Sequence, residues 1–268
     1  MTNVRPISSK CQDEKEKIAQ GRITRRSIQN LPDSEKEKLL KVEVIHKDPD
    51  ISTLPEIKFA GKTYYVTDFE GCASLCDQVM QVLFSIKRIE KFTNSSFPIG
   101  FDLEWPFSFQ TGPGKTALAQ ICVSENTCHL FHLYNLKKLP ASLIQLLSHS
   151  RVKLVGVNIK NDVWKLSRDF PEFPASQVIE KNCIDCGPLT NQVYKRSCRW
   201  SLERLTAYIL QKKISKNDKV RKSKWHILPL TESQKIYAAT DAYVSLLLYL
   251  TIQKKAEQLA LEETNKKT

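Results

Sequence analysis

Five side chains of this sequence, Asp102, Glu104, Asp162, Tyr237 and Asp241, are of the types that hold a hard cation and orient a water. Asp102 and Glu104 stand at i and i+2 in Phe101-Asp102-Leu103-Glu104, inside a run apolar enough to be a central strand. Side chains alternate along a strand, so both acids face one side. Two like charges held together there are costly unless a cation lies between them. Asp162 ends Gly156-Val157-Asn158-Ile159-Lys160-Asn161-Asp162, where a strand hands over to a helix, the end at which α/β folds build sites. Tyr237 and Asp241 stand at i and i+4 with small residues between them, which puts a phenol and a carboxylate on one helical face. Four carboxylates suit Mg²⁺ or Mn²⁺. Two such ions roughly 3.5–4 Å apart form the clamp used for in-line phosphodiester cleavage, with Tyr237 placed to orient the water. Each motif alone has a plainer reading: a common strand pattern, turn and cap residues, a core tyrosine with a wet hydroxyl. Their joint occurrence, in order, is what favours chemistry.

The elements that must position these groups are legible from periodicity. Ile57 to Val66 reads as a strand pair or hairpin around Gly61, followed by Thr67-Asp-Phe-Glu70, a capping box opening a helix to about Arg88. Ile99–Glu104, Ala117–Val123 and His129–Leu133 read as strands of an antiparallel meander, followed by a helix over about Pro140 to Ser148. Val152–Val157 suits a buried strand, and Asp162–Phe170 carries helical spacing. Ser201 can cap a helix, a basic loop runs on to Lys224, and Thr231-Glu-Ser-Gln234 is a capping box opening a long helix expected to fray beyond about Lys254. The order implies an α/β fold, a mixed central sheet with helices on both faces. Residues 1–55 mix charges with few aromatics and are expected to form a disordered tail. The folded domain is then 56–254, and 255–268 a charged C-terminal tail.

The chain has 268 residues and a formal charge of +12, a balance that favours a polyanionic partner. No run reaches the ~18 consecutive apolar residues of a membrane span and the first residues lack the apolar core of a secretory signal, so a cytosolic or nuclear protein with no membrane partner is expected. Arg22, Arg25 and Arg26 could belong to a nuclear-import signal or simply be solvated. The eight cysteines read as buried or free thiols; Cys183 and Cys186 form one C-x-x-C, without the second pair that a zinc site needs.

D-x-E, then N-x-x-x-D, then Y-x-x-x-D is similar to the signature of DEDD exonucleases of the tyrosine type. FDLEWP, ALAQICVSE with HLFHL after it, GVNIKNDVWKLSRDF, WSLERL and WHILPLTESQKIYAATDAY further resemble the Werner exonuclease family, over about Lys58 to Leu250. The resemblance implies a ribonuclease H-like fold, two Mg²⁺ or Mn²⁺ ions held by Asp102, Glu104, Asp162 and Asp241, and Tyr237 positioning the nucleophile. Asn158 matches the wider pattern without counting as a ligand. The implied activity is 3′→5′ hydrolysis of DNA, from a recessed 3′ end or a single strand, releasing 5′-mononucleotides. The implied setting is nuclear DNA repair or replication, with a separate helicase as partner. Two alternatives stand beside it: an exoribonuclease like ribonuclease D, which shares the same acids, and a binding adaptor without catalysis.

Gly112-Pro-Gly-Lys-Thr116 imitates a phosphate-binding loop, but position 109 is Phe where that motif needs Gly, and the segment joins strands where a P-loop opens a helix. A turn near the cleft, with Lys115 touching phosphate, is the milder expectation. Between Lys195 and Lys224 eleven basic residues face two acidic ones, a net of +9. Arg196, Arg199, Lys219, Arg221 and Lys222 are therefore candidates for tracking a phosphate backbone, a solvated loop being the alternative. Trp105, Trp164, Trp200 and Trp225 are read as core or staple residues rather than base-stacking platforms.

Overall fold

The computed structural model describes residues 48–89, 96–215 and 217–265. The N-terminal segment, with the import-signal candidates Arg22, Arg25 and Arg26, lies outside them.

Strand alternation sorts the apolar residues into two cores on opposite faces of one six-stranded sheet. The strands are β1 (Lys62–Val66), β2 (Phe97–Glu104), β5 (Leu118–Ser124), β6 (Thr127–His132), β7 (Val152–Gly156) and β8 (Cys183–Asp185), in the order β1-β6-β5-β2-β7-β8. A two-residue pair, β3 (Phe107–Ser108) and β4 (Gly112–Pro113), forms a separate small ribbon. The contacts β2–β5 and β5–β6 are antiparallel, while β1–β6, β2–β7 and β7–β8 are parallel, so the sheet is mixed with the expected meander at its centre.

On one face, Ile99, Phe101 and Leu103 of β2 pack with α1 (Phe69–Ile89), α2 (Ala141–Ser148), α3 (Ile159–Asp169) and α4 (Ala175–Lys181). On the other, Leu118, Leu130 and Val155 pack with α5 (Cys186–Val193), α6 (Leu202–Leu210) and α8 (Glu232–Asn265), which is reached through the short α7 (Asp218–Arg221). Because Phe101 and Leu103 belong to the first core, the residues between and after them, Asp102 and Glu104, face α8. No helix among the described residues is long and apolar enough to cross a membrane.

Several expectations are corrected. Ile57–Gly61 is not half of a hairpin: β1 pairs in parallel with β6, and Phe59 instead packs on α8, its N–H donating to Thr240 Oγ1 at 3.1 Å. The segment from Asp50 groups with the compact unit that holds the sheet, Lys213 Nζ donating to the Ser52 carbonyl at 2.8 Å while Lys213 N–H donates to Pro55 and Ile57 N–H to Lys213. The first helix is capped by Asp68, whose carboxylate accepts from Gly71 N–H at 2.7 Å, and not by Thr67. Beyond Lys254 the last helix continues without a break to Asn265, with mostly exposed side chains, so it does not fray at Lys254. The box at Thr231 forms as read: Gln234 N–H donates to Thr231 Oγ1 at 3.2 Å and Thr231 N–H to Gln234 Oε1 at 2.9 Å.

Candidate active site

Gly100 decides how closely α8 lies on β2. A Cβ there would fall 1.9 Å from the carbonyl oxygen of Ala242, so only glycine permits the contact. Ala242 follows Asp241, and Gly100 lies two residues before Asp102 on the same face; the close approach therefore brings the helix acid to the strand acids. Carboxylate oxygens of Asp102, Glu104 and Asp241 all lie within 4.8 Å of one another, the one such metal-binding group among the described residues. Tyr237 stands one turn before Asp241 on α8, near enough that each side chain perturbs the other's ionisation. Asp162 lies outside that trio, on the first turn of α3, although its charge is felt at Glu104. That helix starts at Ile159, earlier than its periodicity suggests, because Asn158 takes a left-handed turn at φ 59°.

Burial and mutual repulsion dominate the electrostatics. Burial raises Asp102 to about 7. Glu104 is held well above the carboxylate range by burial, then by the charges of Asp102, Asp241 and Asp162, with Arg221 pulling the other way. Burial, then Asp102 and Asp185, raise Asp162 to about 9. Asp241 is likewise raised by burial and by Asp102, and burial lifts the Tyr237 phenol far above its usual range. A set of oxygen donors that resist ionising together is one that a divalent cation fits, since its field reverses every one of these penalties.

The sequence reading passed over two supporting residues, Asp185 and Gln120, and took a third, Trp225, as a core residue only. Asp185 caps α5, accepting from Gly187 N–H at 3.0 Å, borders the same cleft as Asn158, and adds its charge to those that raise Asp162. Its signal was Asp before a short helix-forming run. Trp225, fully buried, lies 6.1 Å ring to ring from Tyr237, donates from Nε1 to the Arg221 carbonyl at 3.1 Å, and accepts from His132 Nε2 at its own carbonyl at 3.0 Å. Gln120 lies directly opposite Asp102 in the β2–β5 register and is fully buried.

A cleft of about 200 Å³ adjoins the acids, lined by apolar Ile214, Val220 and Ile236 and reaching Tyr237 and Asp241. A second, of about 340 Å³, is bordered by Asn158, Asp185, Arg199 and Trp200. Of the candidate phosphate-tracking residues, Arg199 thus borders a cleft, and Lys219, Arg221 and Lys222 are exposed on or beside α7. Arg221 and Lys222 both pair with Asp218, at 3.2 and 2.8 Å, and Arg196 packs over the rings of Tyr208 and Trp200.

The Lys115 ammonium donates to the carbonyls of Tyr134 and Leu136 at 3.1 and 2.6 Å and lies over the Phe170 ring, contacts that brace a loop. The turn around it is fixed structurally, Asp169 accepting from Thr116 N–H and Oγ1 at 2.6 and 2.7 Å and pairing with buried Lys165. Trp105, Trp200 and Trp225 are buried or half-buried, but Trp164, two residues after Asp162, is 47% exposed.

The family described as 3′-5′ exonuclease matches residues 77–257, a span that contains all five candidate residues. A 3′-5′ exonuclease of Drosophila erecta is 48% identical over 210 residues, 78% of this chain and 57% of that protein. One of Drosophila melanogaster is 48% identical over 202 residues, covering 75% and 55%. The chain therefore spans somewhat more than half the length of the curated relatives it matches. Among solved structures, RNase D of Escherichia coli, an exoribonuclease involved in structured RNA processing, superposes with a TM-score of 0.56 at 20% identity, over 76% of this chain and 49% of that one. The catalytic core of RRP6 from Trypanosoma brucei gives 0.54 at 18% identity, over 83% and 56%. At such identities the likeness is one of fold, which is the ribonuclease H-like exonuclease fold. By its sequence match and its architecture, the chain belongs to the 3′-5′ exonuclease family.

Proposed function

We propose that this chain hydrolyses DNA from the 3′ end to 5′-mononucleotides, as a Werner-like member of the tyrosine subtype. The observation that supports it is the meeting of Asp102, Glu104 and Asp241 within 4.8 Å, with Tyr237 one helical turn before the last of them. These three and Asp162 would hold two Mg²⁺ or Mn²⁺ ions, which supply charge neutralisation and a more acidic water when bound. Tyr237 orients the water, whose oxygen bonds to phosphorus while the 3′-oxygen departs with its electron pair and takes up a proton. The cleft beside Tyr237 and Asp241, with Ile214, Val220 and Ile236 in its lining, suits the base and sugar of the terminal nucleotide, and the basic surface of Lys219, Lys222 and Arg199 suits the phosphates that follow. This reading places the protein in nuclear DNA repair or replication, with unwinding left to a separate helicase.

The test is digestion of a 5′-labelled duplex with a recessed 3′ end, beside matched single-stranded DNA and RNA, in Mg²⁺, Mn²⁺ or EDTA. A metal-dependent ladder from the 3′ end, lost in Asp102→Ala/Glu104→Ala and stronger on DNA, is the expected result. Preference for RNA would make it an exoribonuclease, and binding without cleavage would make it an adaptor.

A further inference from the structure

An anionic phosphodiester must enter a site built of four carboxylates, so a fixed positive charge beside them would count. The chain holds the backbone of one candidate, Arg221, at the edge of the site. Asn217 caps α7 by accepting from the N–H groups of Lys219 and Val220 at 3.1 and 3.4 Å, turning the backbone so that Val220 lines the cleft shared with Tyr237 and Asp241. The next residue, Arg221, is anchored through its carbonyl by Trp225, itself packed on Tyr237. Its field acts on Glu104, opposing the three neighbouring acids.

The backbone is thus tied to the site while the guanidinium is not. Its side chain is 52% exposed and its partner is Asp218, at 3.2 Å and three residues back. An exposed i,i+3 pair is weak, whereas a phosphate offers a guanidinium two parallel charge-assisted bonds. We propose that Arg221 is a catalytic residue: on nucleic-acid binding its guanidinium leaves Asp218 and bonds the non-bridging oxygens of the phosphate being cleaved. Negative charge grows on those oxygens as water adds to phosphorus and the 3′-oxygen leaves. Arg221 carries no proton in the step and stays a cation throughout. The inference rests on the phosphodiester hydrolysis proposed for the site.

The test uses the full chain with Arg221→Gln, Arg221→Lys and Asp218→Asn, single-turnover cleavage of 5′-labelled DNA, and Mn²⁺ binding followed by electron paramagnetic resonance without DNA. Arg221→Gln is expected to slow cleavage ~10²–10³-fold, the usual effect of losing one donor to developing charge. The same variant binds Mn²⁺ more tightly, because a positive charge at the edge of the carboxylate cluster is gone. Arg221→Lys recovers part of the rate, and Asp218→Asn lowers the KM for DNA roughly two- to fivefold by releasing the guanidinium from an exposed pair. Cleavage by Arg221→Gln within threefold of wild type would overturn the proposal. So would slower cleavage with weaker Mn²⁺ binding, which would make Arg221 a scaffold residue. A wild-type protein that yields no metal-dependent 3′ ladder would instead fail the reading of the site itself.

Discussion

Gly100→Ala perturbs the site without touching any group that could bind metal or substrate. The added Cβ would stand 1.9 Å from the Ala242 carbonyl oxygen, 2.9 Å from its carbon and 3.0 Å from Leu246 N, all backbone atoms with no rotamer to escape into. Contacts of this kind stop near 3.0 Å, so α8 must retreat from β2 by at least 1.1 Å, the difference between 3.0 and 1.9. Asp241 precedes Ala242, and Asp102 and Glu104 stand on β2 itself, so the retreat widens the trio by a comparable amount. A misplacement of about 1 Å at a reacting centre costs on the order of 10²-fold in rate. Overpacking of this kind typically costs about 1–3 kcal/mol, leaving the fold intact with a Tm several degrees lower. The assay is single-turnover cleavage at saturating Mg²⁺ beside thermal unfolding and Mn²⁺ binding. A rate within threefold of wild type, in a protein melting normally, would refute the claim that the β2–α8 spacing sets the geometry of the acids.

The pH dependence of stability has a definite sign. Asp102 at about 7 and Asp162 at about 9, against an ordinary 3.8, mean that the folded chain binds more protons than the unfolded one above pH 4. Below roughly pH 7.5 the desolvated rings of His129, His132 and His149 oppose this trend, because they resist a proton that the unfolded chain takes up. The clean window lies above it, where stability in EDTA falls as pH rises toward 9. Thermal melts across that range should show a declining Tm that Asp241→Asn makes shallower, and a Tm that climbs instead would contradict the burial assigned to the cluster. Over the same range Mn²⁺ affinity should rise, because ligation needs the ionised forms; calorimetric titration at three pH values checks it. Lys115→Met strips two carbonyls of their donor and should destabilise by about 1–3 kcal/mol. It should leave the salt dependence of DNA binding unchanged, whereas a slope smaller by about one would place Lys115 on the substrate.

How much of this was legible depends on whether the information is local. Asp102 and Glu104 share a face because a strand has period two, Tyr237 and Asp241 because a helix turn is near four residues, and Thr231 and Gln234 close a capping box within one turn. What was not legible was long-range. Ile57 and Phe59 are apolar because α8 covers them, and no local pattern separates that cause from pairing with the next strand. Lys115 follows a glycine-rich turn that suggests phosphate, yet its acceptors, the carbonyls of Tyr134 and Leu136, are about twenty residues away and appear only once β5 and β6 have paired. Between these extremes lies Gly100, a lone glycine inside an apolar strand, two residues before an acid. In a strand, glycine marks either a bulge or a close backbone approach. The β2 register is unbroken on both sides of Gly100, leaving approach as the reason, and its partner is the one helix that carries the remaining acid and the tyrosine. The residue that assembles the site is thus the one with no chemistry of its own, and a search confined to acids, histidines and cysteines passes over it.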